Sequence, residues 1–546
     1  WQMCAPPAGS SATVTIKGDI IQSAGQFTSN GTSNPNTTIV IHHYGNIDVT
    51  GGNFSVSRGS QGGSGTTIWY LYGNVSLKNA TTQNSNPTGA KFVFAGDGKP
   101  QSLTFSEVTF GGGGFPMEID SGAVVDMGTS ILQGNGSFRV KAGGTLITGL
   151  PNGVDGSIAN TGSRVFENGS SYGFNGSIAQ LTGSLMPDTV FNLILNNPQG
   201  VGLSHSVVVN GTLEMANGAL SLNGHALSYG PNASLQYSGT SAQTTTDVEF
   251  PPSGGPAHLI ISNSKGVTLH ASRTIKTLQL SGKLDIGVHT LTANSASTTD
   301  TRAFVATGNG GMLKMLSVGA SPVFFPVGTI SYTPVWITNE GVPDNVSVGA
   351  VKDDKPAPHG GRVKVRWNII EDTPGGGNYT LQFGWTSALE TTDFRADRAK
   401  YARIFNLTDT TEAGTGDYTM QLATPPYTLS RGGISKLGPF AVGLFRPATG
   451  ITETPERLPM KFYLCQNYPN PFNVSTTIRY TLHQEAKVKI VVYDLLGKEI
   501  ATLVDAKMDA GEHTVTWNAE NVASGIYIYK LLTKGFVQTR KMILLK

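Results

Sequence analysis

The chain has 546 residues, enough for several domains and a large buried core. Charged residues make up only 14%, against about 25% in an ordinary soluble domain, and the formal net charge is +2. This balance excludes nucleic acid as an electrostatic partner, a hydrophobic fraction of 38% excludes a disordered chain, and no run approaches the ~18 apolar residues of a membrane span. What remains is a chain rich in Gly, Ser, Thr and Asn with short Val, Ile, Leu and Phe runs, an all-β composition with many tight turns.

The chain starts at Trp1 without a charged and apolar leader, as expected of a mature form whose signal peptide has been removed. The first region, 1–170, is a series of strand–turn–strand pieces: TTIVIHHYGNIDVTGGNFSVS (37–57), TTIWYLYGNVSLKNA (66–80), MEIDSGAVVDMG (117–128) and GSFRVKAGGTLITG (136–149). They share a style but no clean period.

A duplication marks the second region, 171–301. FNLILNNPQGVGL (191–203) aligns with AHLIISNSKGVTL (257–269) at an offset of 66, and TLEMANGALSLNGHAL (212–227) with TLQLSGKLDIGVHTL (277–291). Ahead of them FNGSIAQ (174–180) matches YSGTSAQ (237–243). Within each copy apolar residues alternate, as at Leu193, Leu195, Val201 and Leu203, and Gly or Asn turns interrupt them. Alternation over so few residues predicts short strands with one buried face. Evenly spaced turns predict a coil of rungs, a β-solenoid or parallel β-helix-like repeat, over a row of β-sandwiches.

From 302 the texture changes to longer aromatic strands, including MLKMLSVGASPVFFPVG (312–328), NYTLQFGW (378–385) and GPFAVGLF (438–445). The prediction for 302–447 is a β-sandwich of Ig-like type. A Pro-, Thr- and Glu-bearing linker, 448–459, follows, and 460–546 forms a last small Ig-like sandwich.

Few residues carry chemistry. Polysaccharide-cleaving coils need paired carboxylates or a Ca²⁺ cluster, whereas acidic residues in 1–300 are sparse and mostly solitary, as at Asp19, Asp48, Asp97, Asp155 and Asp188. Asp353-Asp354 and Glu371-Asp372 read as solvated turns. His42 and His43, adjacent in a strand, point to opposite faces and do not suit one metal. His225 and His289 occupy equivalent places in the two copies, which predicts a packing or turn role. GGGG (111–114) lacks the Lys and helix of a phosphate loop. The chain therefore reads as non-enzymatic, with no catalytic residue, cofactor or metal assigned. Fourteen N-x-S/T sequons, among them Asn30, Asn53, Asn74, Asn135, Asn210 and Asn345, read first as turns entering strands. Trp69, Tyr70 and Tyr72 are candidates for a glycan-binding face or for an edge cover. The two cysteines, Cys4 and Cys465, allow a bridge within one chain, a bridge between subunits, or two free thiols.

The last segment holds NYPNPFN (467–473), TTIRYTL (476–482), KVKIVVYDLLGKEI (487–500), GEHTVTWNA (511–519), SGIYIYKL (524–531) and KMILLK (541–546). This order resembles the C-terminal sorting domain of proteins exported by the type IX (Por-type) secretion system of Bacteroidota-like bacteria. The resemblance maps the opening motif onto Asn467, Pro469, Asn470, Pro471, Phe472 and Asn473, and the later motifs onto Tyr493, Asp494, Gly497, Gly511, Gly525, Tyr527 and Lys541. It implies the type IX secretion machinery as partner, passage across the outer membrane, and surface polysaccharide as an attachment partner. The repeats resemble those of large surface proteins that carry this module. Asp188-Thr189-Val190 and Asp409-Thr410-Thr411 resemble the O-glycosylation motif of secreted proteins in the same bacteria, making Thr189 and Thr410 candidate acceptors.

The expected protein is a secreted, non-enzymatic structural protein of the cell surface, in first place a subunit self-assembling into a homopolymeric filament or sheath, and in second place a solenoid adhesin. The argument for assembly is that a coil exposes unpaired strands at its ends, and contacts that do not close make fibres. A glycan-binding surface module is the alternative, and a polysaccharide-degrading β-helix enzyme the third.

Overall fold

The computed structural model describes residues 9–28, 37–56, 66–84, 89–96, 98–354, 361–409, 411–445 and 462–546. Cys4, Asn30, Asp97, Thr410 and the 448–459 linker lie outside them. Two compact units are present, 1–446 and 447–546.

In the first unit, alternation does what the sequence predicts. Thr38–His43 buries Ile39, Ile41 and His43, and Thr66–Leu71 buries Thr67, Trp69 and Leu71. The two strands run parallel and in register, Ile41 beside Trp69 and His43 beside Leu71, so each rung stacks its inward residues on the next. Rungs carry up to three short strands separated by sharp corners. The second strand of each rung forms one continuous sheet of thirteen strands from Ile20–Gln22 to Ser295–Thr298. At roughly 4.8 Å per strand, this sheet runs about 58 Å along the coil. Parallel pairing throughout excludes the row of sandwiches, whose strands would pair antiparallel.

Corners are as specific as strands. An ideal Cβ on Gly73 would lie 2.0 Å from the Gly45 carbonyl oxygen, so only glycine lets successive rungs approach there. At the same corner the side chains of Asp19, Asn46 and Asn74 each accept a hydrogen bond from the next rung's backbone, at 2.7, 2.9 and 2.8 Å. The Asn74 sequon is thus a corner tie.

Leu193, Leu213, Leu235, Leu259, Leu278 and Ala296 are successive occupants of one inward column. Leu193 and Leu259 are three rungs apart, so the 66-residue duplication counts three turns of the coil. In 11–170 the spacing from Ile41 to Trp69, Phe92, Met117 and Phe138 is uneven because the loops vary while the strands keep register, which explains the missing period there.

Parallel pairing passes the change of texture at 302 and runs on to Val327–Gly328, which pairs with Val305–Ala306. Met312–Val318 is the pivot. One edge pairs parallel with Thr290–Ala293 of the last rungs, and the other pairs antiparallel with Asp344–Lys352. The coil thus continues directly into an eight-stranded sheet that packs with a five-stranded antiparallel one. A single buried cluster extends from Ile39 to Leu444. The helix Thr392–Tyr401 interrupts this region; its Thr391 cap accepts from the Phe394 amide at 3.3 Å, and Phe394 is buried.

In the second unit, seven strands form two antiparallel sheets around a separate core that includes Phe472, Tyr480, Trp517 and Tyr529. Among the described residues no helix is long and apolar enough to cross a membrane.

Candidate functional site

The coil displays one aromatic cluster outward. His42 and Tyr70, paired in adjacent rungs, stack with centroids 5.1 Å apart, and Tyr44 and Tyr72 stack at 4.5 Å with planes 7° apart. His42 Nδ1 lies 3.3 Å from the Tyr72 hydroxyl. Tyr44 is 52% exposed. Burial raises the Tyr72 phenol, and the Tyr44, Tyr70 and Asp120 side chains push it further the same way. Trp69, grouped with these tyrosines on the sequence, is instead core: it is fully buried and its Nε1 donates to the Val56 carbonyl at 3.2 Å. Strand alternation separates it from Tyr70. His43 likewise turns inward, where burial lowers its pKa against the opposing effects of the Gly18 carbonyl and Asp19.

Beside the aromatics runs a charge network. Glu118 is nearly buried and contacts Lys91 at 2.6 Å and Lys141 at 2.8 Å, and Lys141 also reaches Asp120 at 2.9 Å. Burial alone would raise the Glu118 pKa, but the two lysines outweigh it and hold it below the ordinary value.

The remaining ionisable residues serve the frame. Asp155 accepts from the Ser184 and Leu185 amides of the next rung, and Asp188 pairs with His205 at 3.1 Å. His270 sits between Asp247, at 2.9 Å, and the Thr245 hydroxyl, at 2.6 Å, an order of groups reminiscent of a nucleophile relay. Thr245 is buried, and the trio ties a corner together with Arg273. His225 and His289 donate their amides to Leu222 and Ile286, each at 2.8 Å, the same turn in both copies. Asp353, expected in a solvated turn, is buried and paired with Arg362 at 3.0 Å. Glu371 accepts from the Tyr379 hydroxyl at 2.7 Å and Asp372 from Lys314 at 2.6 Å, so that pair also ties strands. Among the described residues no group of three or more His, Cys, Asp or Glu could hold a metal.

Sequence reasoning missed a pair of side-chain clasps inside the coil. Gln180 donates to the Thr148 and Leu150 carbonyls and accepts from the Gly176 amide and from Asn197. Gln243 repeats this with the Met215 carbonyl, the Gly239 amide and Asn263. The signal was the shared glutamine ending FNGSIAQ and YSGTSAQ.

In the C-terminal unit, the opening motif and the final strand Phe536–Leu544 are stitched together across some seventy residues of chain. Asn467 is buried; its amide donates to the Tyr529 hydroxyl at 2.7 Å and its side chain to Thr476 at 2.9 Å and the Pro469 carbonyl at 3.1 Å. Asn470 accepts from the Ile543 amide at 2.8 Å, and Phe472 exchanges backbone hydrogen bonds with Ile543 and Leu545 while its ring lies 5.7 Å from that of Trp517. Lys541 contributes its carbonyl to Gln466 at 2.6 Å. Tyr527 packs on Trp517 and donates to the Ala523 carbonyl. Asp494 folds the hairpin tip by accepting from the Leu496 and Lys498 amides, both at 2.9 Å, and Gly497 turns there at φ +82°. Gly511 and Gly525 open strands, and Pro471 and Asn473 flank Phe472 on the surface.

Residues 466–545 match the secretion system C-terminal sorting domain. The sorting domain directs the chain across the outer membrane to the cell surface or extracellular space, through the type IX machinery. Its motif residues turn hairpins, pack the core or tie the first segment to the last strand. Neither curated proteins nor solved structures match the chain. Cys465, immediately before the matched segment, makes no disulfide among the described residues, and burial raises its thiol pKa. Thr189 is half-buried in a two-residue strand paired with Val208–Val209, beside the exposed Asp188.

Proposed function

We propose that this protein is a non-enzymatic structural protein of the cell surface that works as a solenoid adhesin, a stiff coil displaying binding surfaces outside the cell. The observation that carries this reading is the pivot strand Met312–Val318, paired on both edges. Growth by stacking coil on coil needs unpaired edges at each end, and at the C-terminal end one sheet of the coil is carried on into an antiparallel sheet, while Ser295–Thr298 and Val327–Gly328 end the other two. The non-enzymatic part is supported by the engagement of the buried carboxylates in ties to neighbouring strands. Surface polysaccharide is the anchoring partner that fits export by a sorting domain.

Purified protein is expected to run as discrete monomers by light scattering and negative-stain microscopy over a hundredfold concentration range. Filaments or a ladder of oligomers would overturn the adhesin reading. Incubation with a panel of polysaccharides is expected to release neither reducing ends nor unsaturated uronates, and release would return the enzyme reading. The filament reading keeps its own support: among the described residues Ser11–Ile16 pairs on one edge only, with Thr38–His43, and Ser295–Thr298 only with Thr277–Leu280.

A further inference from the structure

One outward column of the coil is interrupted in an informative way. Inward His43, Leu71, Phe94, Ile119 and Val140 stack in register. The residues that follow them extend the backbone ladder: the Tyr72, Ala95, Asp120 and Lys141 amides donate to the His43, Leu71, Phe94 and Ile119 carbonyls at 2.9 to 3.0 Å. Tyr44, Tyr72, Ala95, Asp120 and Lys141 are therefore consecutive along the coil. Tyr44 covers one face of the Tyr72 ring. On the other side the next position is Ala95, whose methyl is too short to cover the second face, and beyond it stands Asp120, oriented by Lys141. Two rung spacings, roughly 9.6 Å, separate the Tyr72 and Asp120 layers, which leaves room for one flat ring between them.

We propose that this gap is a subsite for one uncharged pyranose ring of a glucan-type chain, stacked on the free face of Tyr72 with its hydroxyls on Asp120. The proposal rests on the adhesin reading and names what the adhesin binds. The chemistry selects the ligand. An aromatic face attracts the positively polarised C–H face of a sugar ring, and a few convergent polar groups fix its hydroxyls. Lys91 and Lys141 are balanced by Glu118 and Asp120, so the site has no excess charge for a uronate or a sulfated sugar. Asp120, 30% exposed at its side chain, retains acceptor capacity beyond the lysine contact.

Cellohexaose is the probe, titrated into the full chain by calorimetry and by saturation-transfer NMR, with trigalacturonate as the charged comparison. Cellohexaose is expected to bind and to transfer saturation to its ring C–H protons, with trigalacturonate at least tenfold weaker. Y72A is expected to weaken binding tenfold or more. A95F, which extends the aromatic ladder into the gap, is expected to do the same while keeping the wild-type melting temperature. D120N keeps the side-chain shape and is expected to weaken binding several-fold. Absence of cellohexaose binding, tighter trigalacturonate binding, or unchanged affinity in both Y72A and A95F would overturn the subsite. A monodisperse protein that binds no sugar sinks the subsite alone, whereas filaments sink the adhesin reading whatever the sugar result.

Discussion

At the scale of single residues, most polar groups that look chemically interesting hold rungs together. The Gln180 and Gln243 clasps add a second donor to carbonyls that already accept a backbone amide, and they accept from the Gly176 and Gly239 amides. Replacing Gln243 with Leu removes the donor to the Met215 carbonyl and the acceptor for the Gly239 amide. A cost of about 1–3 kcal/mol is expected, read as a lower urea midpoint, because the buried Gly239 amide loses its acceptor. Glu118 gives a pH dependence. Its folded-state pKa lies below the ordinary 4.5, so its stabilising effect is complete above that value and is lost as pH falls through the lowered one. The difference in urea midpoint between wild type and E118Q is expected to shrink from pH 5 to pH 3; a constant difference would show that the lysine contacts contribute no pH-dependent stability. His42 and His43 show how a single register position decides fate: one stacks outward on Tyr70, its neighbour is buried against Gly18.

At the scale of elements, strands were legible wherever alternation was clean, as in Thr38–His43 and Leu193–Asn196. The coil in the repeats was legible too, because Leu193 and Leu259 occupy the same inward column. The number of rungs per repeat was not, since a period records the duplicated unit and not the turn within it. The helix Thr392–Tyr401 went unnoticed among strands; its signal was local, a Thr391 cap with Asp393 in the first turn and Arg398 and Lys400 in the last. The sorting motifs were legible as residues, but their purpose, tying Asn467, Asn470 and Phe472 to the last strand, needs the folded register. Corners were the least legible. Gly73 reads as an ordinary turn glycine, yet a Cβ there would strike the Gly45 carbonyl. G73A is expected to lower the melting temperature of the first unit by several degrees without altering the second, seen as a shift of one calorimetric peak.

At the scale of the whole molecule, the two units have separate cores, while the coil and the antiparallel sheets that follow share one. Removing 447–546 is therefore expected to delete one calorimetric transition and leave the other within about a degree or two. Cutting at 301 instead exposes the edge of Thr290–Ala293 and the inward Leu291 that Leu313 covers. That fragment is expected to aggregate, and a soluble, cooperatively melting 1–301 would show that the coil does not depend on the sheets beyond it.

The three-turn duplication has a consequence for length control. Because Leu259 stands where Leu193 stood, with the same clasp and the same turn, a whole copy can be spliced in or out without disturbing either terminus of the coil. Each copy adds roughly 14 Å of reach at three strand spacings. Gain or loss of one copy would thus change the length of the coil in steps of three turns, a graduated ruler written into the sequence.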